Sequence, residues 1–245
     1  MPNCLCAKMR VGIGISMFDE HELVLRNIQT IKEEVSIDPY FVVVHSDDGN
    51  PSESLETIKS LVDRYTQVSD MSTEFPNHFY QARCVSRNFS KIFSNLYTAP
   101  EMDYYVAFTG DTLVTDSNNF NRLHSVMKDK QKVACVSQAI GQRFHASTDN
   151  LKDRSGNRYQ HDRITDFMPQ LFLLEGQFAT STKCFSHIEV TNELTSEQCL
   201  GDELLSHIDG DFHEKVYRLN YMDNSNAYAY NDGVVYHARN GKPGR

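Results

Sequence analysis

The sequence contains no tryptophan, and its 24 lysines and arginines are outnumbered by 33 aspartates and glutamates, for a formal net charge of −9. A chain without a basic field does not gather phosphate polymers, which argues against nucleic acid and anionic membrane surfaces as partners. No apolar run approaches the roughly 20 residues that a membrane-spanning helix needs, and the opening "MPNCLCAKMR" has no apolar block of a secretory signal. The expectation is a soluble, cytoplasmic protein with no transmembrane segment. Cysteines are scattered, at positions 4, 6, 84, 135, 184 and 199. A chain of 245 residues that is 40% hydrophobic can bury a core without disulfides, so reduced thiols are expected, and a lone Cys4-x-Cys6 is weak support for a metal. Repeats, low-complexity tracts and linkers are also missing. One continuous domain over residues 1–245 is the expectation.

What is present is an alternation of strands and helices. "RVGIGIS", Arg10 to Ser16, is the first strand candidate. A helix follows, capped by Asp19, with Val24, Ile28, Ile31 and Val35 at helical spacing. "YFVVVHS", Tyr40 to Ser46, is apolar on both faces, as an inner parallel strand should be. Ser52 caps a second helix carrying Leu55, Ile58, Val62 and Tyr65. A third helix fits Phe79 to Leu96, then a strand Asp103 to Thr109, a helix Ser117 to Asp129 and a strand Lys132 to Gln138. This order predicts a parallel sheet with right-handed crossovers. Gly141 to Asp166 is polar and reads as a long loop or surface hairpin. Beyond it come an apolar strand around "QLFLL", a helix near Glu197 to His207, a strand "KVYRL" and a hairpin around Asn231, Asp232 and Gly233.

In a parallel sheet, ligands bind beyond the carboxyl ends of the strands. Three polar groups fall at such ends: Ser16 to Glu20, the adjacent acids Asp47 and Asp48, and Thr109 to Thr112. Asp-Asp-Gly alone is ordinarily a turn, and Gly-Asp-Thr a strand end. Their joint placement on one rim, with Arg87 and Asn88 on the helix between them, is what points to a ligand cleft.

These residues resemble the GT-A glycosyltransferases, and within them the inverting family 2 enzymes that use nucleotide-diphosphate sugars. "SMFDEHELVLRNIQTI" is similar to that family's opening turn and first helix, which brings in Ser16, Phe18 and Glu20. "VVVHSDDG" is similar to its second strand, whose acids hold the donor base, so the resemblance makes Asp47 the base reader and Asp48 its support. A carboxylate there accepts the imide N–H of uracil or thymine, which makes UDP the first guess. "CVSRNFSKIF" resembles the helix start that places Arg87 and Asn88 near the donor. "DYYVAFTGDTLV" resembles the strand carrying the metal-binding acid pair, but Thr109 stands where the first acid belongs, and Asp111 alone remains. The implied cofactor is Mn²⁺ or Mg²⁺ held by Asp111 and the diphosphate, with His237 of "VVYHARN" as a further ligand that would favour Mn²⁺.

"CLGDELLSHI" resembles the family's Glu-Asp helix start, with Gly201 in place of the Glu. Asp202 is then the base that takes the acceptor proton and Glu203 the reserve. Apart from the resemblance, both are ordinary acids near a helix N-terminus. "LEGQFATSTKCF" is similar to the family's acceptor-side strand and loop, where Gln177 and Thr180 could bind hydroxyls. Arg143, His145, Arg154, Arg158 and His161 are candidate acceptor or diphosphate contacts. The partners implied are a nucleotide-diphosphate sugar and a glycan or other hydroxyl acceptor. The donor half is expected over about 10–140 and the acceptor half over about 141–245.

A sugar nucleotidyltransferase fits less well, because Gly12 and Gly14 lie inside the strand and acids follow it. A dinucleotide fingerprint fails because position 17 is Met, not Gly. A GT-A-shaped module that binds without turnover is the alternative that Thr109 leaves open.

Overall fold

The computed structural model describes residues 8–46, 51–68, 79–114, 118–140, 167–189, 196–210, 212–224, 227–230 and 235–238. Its strands are β1 (Met9–Met17), β2 (Ile37–Ser46), β3 (Arg64–Val68), β4 (Tyr104–Thr109), β5 (Thr112–Val114), β6 (Ala134–Ile140), β7 (Phe167–Glu175), β8 (Val216–Asn224), β9 (Ala227–Tyr230) and β10 (Val235–Ala238). The helices are α1 (His21–Lys32), α2 (Glu53–Leu61), α3 (Phe79–Leu96), α4 (Asn118–Asp129), α5 (Gly176–Thr182), α6 (Ser196–Ser206) and the single turn α7 (Phe212–Lys215).

All ten strands join one mixed sheet in the order β3-β2-β1-β4-β7-β6-β8-β9-β10-β5. β1 lies between β2 and β4 and is parallel to both, and β3 is parallel to β2. Beyond β4 the pairings turn antiparallel at β7 and again from β8 to β5, with one parallel pair, β6 and β8, between. The fold is thus α/β, Rossmann-like: the alternation predicts the parallel β3-β2-β1-β4 part, and the mixed sheet flanked by helices is what the resemblance to a GT-A fold implies. Among the described residues, no helix is long and apolar enough to cross a membrane.

Alternation along the strands assigns each side chain to one of two cores. On one face Val11, Ile13, Ile15 and Met17 of β1 meet Val24, Ile28 and Ile31 of α1, Leu55 and Ile58 of α2, and Phe120 and Leu123 of α4. On the other, Val42 and Val44 of β2 meet Phe89, Ile92, Phe93 and Leu96 of α3 and Cys199, Leu200 and Leu204 of α6. β1 offers glycines to this second face. A Cβ at Gly14 would lie 2.1 Å from Ile92 Cγ2, and one at Gly12 2.6 Å from the Tyr105 ring. The glycines therefore serve close seating of α3 on β1, not phosphate binding.

Several boundaries differ from the sequence-based expectations. Glu20, not Asp19, occupies the N-cap of α1, and Val35 lies outside the helix and is exposed. Ser52 caps α2 as expected, its Oγ accepting from Leu55 N–H, but the helix ends at Leu61. Val62 is extended and Tyr65 belongs to β3. The "LEGQFATSTKCF" stretch is not a strand and loop beyond Glu175: Glu175 caps α5 through Phe178 N–H, and Thr180 Oγ1 donates to Gly176 O and Gln177 O of its own helix. β9 and β10 pair antiparallel as a hairpin requires, while Asn231, Asp232 and Gly233 lie outside the described residues.

Candidate active site

Because β1, β2 and β4 run parallel, their carboxyl ends share one rim. β1 ends in the Phe18 to Glu20 turn, β2 in Ser46, and β4 in the Gly110–Asp111 turn that leads into β5. Gly110 N–H donates to Ser16 O at 2.6 Å, so the turn after β4 is tied to the last residues of β1.

β5 is held from below by α1. The buried Asn27 donates from Nδ2 to Thr112 O at 2.6 Å and accepts from Val114 N–H at 2.9 Å, pairing with β5 as a neighbouring strand would. Fully buried backbone groups require such partners, so Asn27 fixes where Asp111 leaves the sheet.

Glu20 and Asp111 flank Gly110. Glu20 Oε2 accepts from Phe18 N–H at 2.9 Å, and a Cβ on Gly110 would come within 2.8 Å of the same oxygen. Glycine at 110 therefore leaves the room in which the Glu20 carboxylate sits. Thr109 Oγ1 donates to Asp111 Oδ1 at 2.6 Å and lies 3.3 Å from Thr112 Oγ1. The residue in place of the first metal-motif acid is thus a hydroxyl that orients the second. Burial is the main cause that pushes the Glu20 carboxyl up to about 7; the Phe18 N–H opposes it, and the Asp111 charge adds to the rise.

The sign of that shift gives a stability prediction. The neutral form is favoured in the fold, so no penalty exists below the ordinary value of 4.5 and the full penalty is reached above about 7. That span corresponds to roughly 3 kcal/mol. In chelator-treated protein, Glu20→Gln is expected to flatten the fall in stability between pH 5 and 8 and to raise stability at pH 8, read by urea denaturation. An unchanged pH profile would show that Glu20 is solvated.

On the α3 face of the same rim, Asn88 Nδ2 donates to Ser16 Oγ at 3.1 Å and Ser46 Oγ at 2.9 Å. This joins the ends of β1 and β2. Asn88 Oδ1 is buried with no hydrogen-bond partner among the described residues. Arg87, its neighbour on α3, is half-buried. Phe18 is 40% exposed at the rim, an unusual position for a ring that size and one from which it can stack on a planar ligand.

The remaining predicted residues divide into three groups. Asp47, Asp48, Cys4, Cys6, Arg143, His145, Arg154, Arg158 and His161 lie outside the described residues. His237 is placed by backbone register alone: β10 pairs antiparallel with β5, with His237 opposite Thr112, next to Asp111. Asp202 and Glu203 are buried on α6. Glu203 Oε1 lies 3.0 Å from His207 Nε2, one turn on, and its charge helps raise the Tyr97 hydroxyl and Cys184 thiol, both already raised by burial. Among the described residues, no three His, Cys, Asp or Glu side chains converge as a ready metal cage.

The sequence reading marked Thr109 only as the replacement of an acid, and it missed Asn27. The hydroxyl contact of Thr109 to Asp111 is what the structure adds, and nothing in the spacing of Asn27 indicates its pairing with β5.

No protein-family model matches the chain, and no curated protein matches it. Among solved structures, it is similar to TarS of S. aureus at 11% identity, with a TM-score of 0.50, covering 94% of this chain and 36% of that one. A second TarS structure, of residues 1–349, gives 11% identity, a TM-score of 0.49, and covers 94% and 60%. The chain thus spans about a third of the length of the full TarS chain. At this identity the likeness shows the fold alone, an α/β Rossmann-like one.

Proposed function

We propose that the chain is a glycosyltransferase domain that moves a sugar from a nucleotide-diphosphate donor, by preference a UDP-sugar, to a hydroxyl of a glycan or other acceptor. The observation that carries this reading is the placement of Ser16, Glu20, Asn88 and Asp111 along the one rim where the parallel strands β1, β2 and β4 end, on a fold shared with a glycosyltransferase. A single unit over residues 1–245 accommodates both donor and acceptor halves.

Asp47 and Asp48 read the nucleoside in this proposal, Phe18 stacks on it, and Arg87 and Asn88 support the donor. The donor set around Gly110 suits a hard divalent cation: the Glu20 carboxylate sits against Gly110, Asp111 follows it in the chain, and the His237 strand runs beside them. Mn²⁺ or Mg²⁺ held there would offset charge on the departing diphosphate. Glu20 thus fills the place of the acid missing at Thr109. Asp202 takes the acceptor proton, with inversion at the sugar carbon, and Glu203, engaged by His207, contributes to folding more than to chemistry.

A non-catalytic nucleotide- or glycan-binding module is the second reading, favoured by Thr109 and by Glu203's engagement away from the rim. The test is a thermal-shift series with UDP-, dTDP-, GDP- and CMP-sugars, each with and without Mn²⁺. A metal-dependent rise with one nucleotide, together with slow donor hydrolysis, is expected. A rise without hydrolysis would support the binding module, and no rise with any donor would remove the glycosyltransferase reading and nucleotide binding alike.

A further inference from the structure

Two buried histidines lie outside the roles assigned so far. His21 opens α1 and His45 is the penultimate residue of β2; they are 5% and 0% exposed. Their Nε2 atoms face each other at 3.4 Å, with ring planes at 84° and centroids 5.1 Å apart. The centroids are closer than two rings laid end to end would allow at that nitrogen separation, so the ring axes meet at an angle. Each Nδ1 is engaged on its outer side, His21 with Ser52 Oγ at 2.8 Å and His45 with the Tyr65 hydroxyl at 2.6 Å. The Phe18 carbonyl oxygen lies 3.1 Å from His21 Nε2.

A direct N–H···N bond accounts poorly for this arrangement. The separation of 3.4 Å exceeds the usual hydrogen-bond length of about 2.7–3.2 Å, the axes are bent, and a proton on His21 Nε2 has a nearer acceptor in Phe18 O. With the Nδ1 tautomer on both rings, the two Nε2 lone pairs would stand at the separation that a shared ion imposes. Imidazole nitrogens bound about 2.0–2.1 Å from a tetrahedral ion lie roughly 3.3–3.4 Å apart. Metal-bound histidines also engage their outer nitrogen with a neighbouring group that fixes the ring and its tautomer, the position that Ser52 and Tyr65 occupy here.

We propose that His21 Nε2, His45 Nε2 and the Phe18 carbonyl oxygen form a binding site for a divalent transition ion of the Zn²⁺ class, completed by water or a ligand atom. Among the described residues no third histidine, cysteine or carboxylate joins them, so affinity is expected to be moderate. The nitrogen ligands favour Zn²⁺, Ni²⁺ or Cu²⁺ and set this site apart from the carboxylates Glu20 and Asp111, which favour Mg²⁺ or Mn²⁺. A bound ion would tie the start of α1 to the end of β2 and fix the Phe18 peptide, whose N–H is already held by Glu20. The inference is independent of sugar transfer.

The test is metal titration of chelator-treated full chain with Zn²⁺ and, for spectroscopy, Co²⁺ and Cu²⁺. One equivalent per chain is expected, with the visible spectrum of four-coordinate Co²⁺ and with two bound imidazoles seen by spin-echo spectroscopy of Cu²⁺. Binding should vanish in His21→Gln and in His45→Gln, persist in Asp111→Asn, and weaken about 10–100-fold in Tyr65→Phe. Wild-type protein that binds no Zn²⁺, or that binds Cu²⁺ without two imidazoles, overturns the proposal, and so does binding that survives both histidine substitutions. The spectroscopic arm needs no variant, so failure of a variant to fold leaves the test intact.

Discussion

Asp111→Asn is expected to reduce metal-stimulated turnover of a UDP-sugar by about 10²–10³-fold, the usual scale for losing one group that stabilises developing charge. The fold should be unaffected. An asparagine Oδ1 can still accept the Thr109 hydroxyl now bonded to Asp111, and removing the charge relieves one contribution to the raised Glu20 carboxyl. Mn²⁺ affinity, followed by loss of the free-ion resonance, should fall in parallel with turnover. A variant with normal metal-stimulated turnover would show that the ion, if one is used, is held elsewhere.

Gly176→Ala is expected to cost about 3 kcal/mol, the upper end of the range for inserting a methyl group into a packed site. The new Cβ would stand 2.2 Å from Met102 O and 2.6 Å from Asp103 O, both backbone atoms. Gly176 N–H also donates to Asp103 O at 3.0 Å, and Glu175 pairs with Tyr104 at the seam of β7 and β4. Relief therefore requires the seam itself to shift. Gly14→Ala is the comparison, since its 2.1 Å clash is with Ile92 Cγ2, the end of a side chain that can turn. Urea denaturation should rank Gly176→Ala as clearly the more damaging; equal costs would mean that the β4–β7 seam yields as easily as a side chain.

The parts of the fold legible in the sequence are those with a long period. α3 repeats apolar residues over eighteen positions and shows its full extent, Phe79 to Leu96. β1 and β2 are apolar runs buried on both faces, and their parallel pairing follows from the helix between them. β3 was missed because Val62 and Tyr65 continue the spacing of α2, although the chain turns extended at Val62. β3 is an edge strand of mixed polarity with one neighbour, β2, so little burial marks it. β5 has three residues and α5 seven, too short for any period to declare itself.

At the rim, sequence order placed Ser16, Glu20, Asn88 and Asp111 at strand ends or on the helix between them, because a parallel sheet makes carboxyl ends coincide. It did not reveal which of them touch. Glu20 reaches Gly110, and Asn88 bonds Ser16 and Ser46, through contacts set by packing on opposite faces of β1. The His21–His45 pair was illegible for the same reason: the residues lie on adjacent elements and share no spacing that a motif could record.

The pairing of β10 with β5 also has a consequence for the order of assembly during synthesis. β3, β2, β1 and β4 can associate once the first half of the chain has emerged, yet β5, which carries the chain away from Asp111, finds its strand partner, among the described residues, in Val235–Ala238. Chains fold from the N-terminus as they are made. The nascent protein would thus hold a formed strand rim beside a β5 anchored by Asn27 but not yet by β10, so a ribosome stalled before residue 235 should display a ligand site that is framed but not closed.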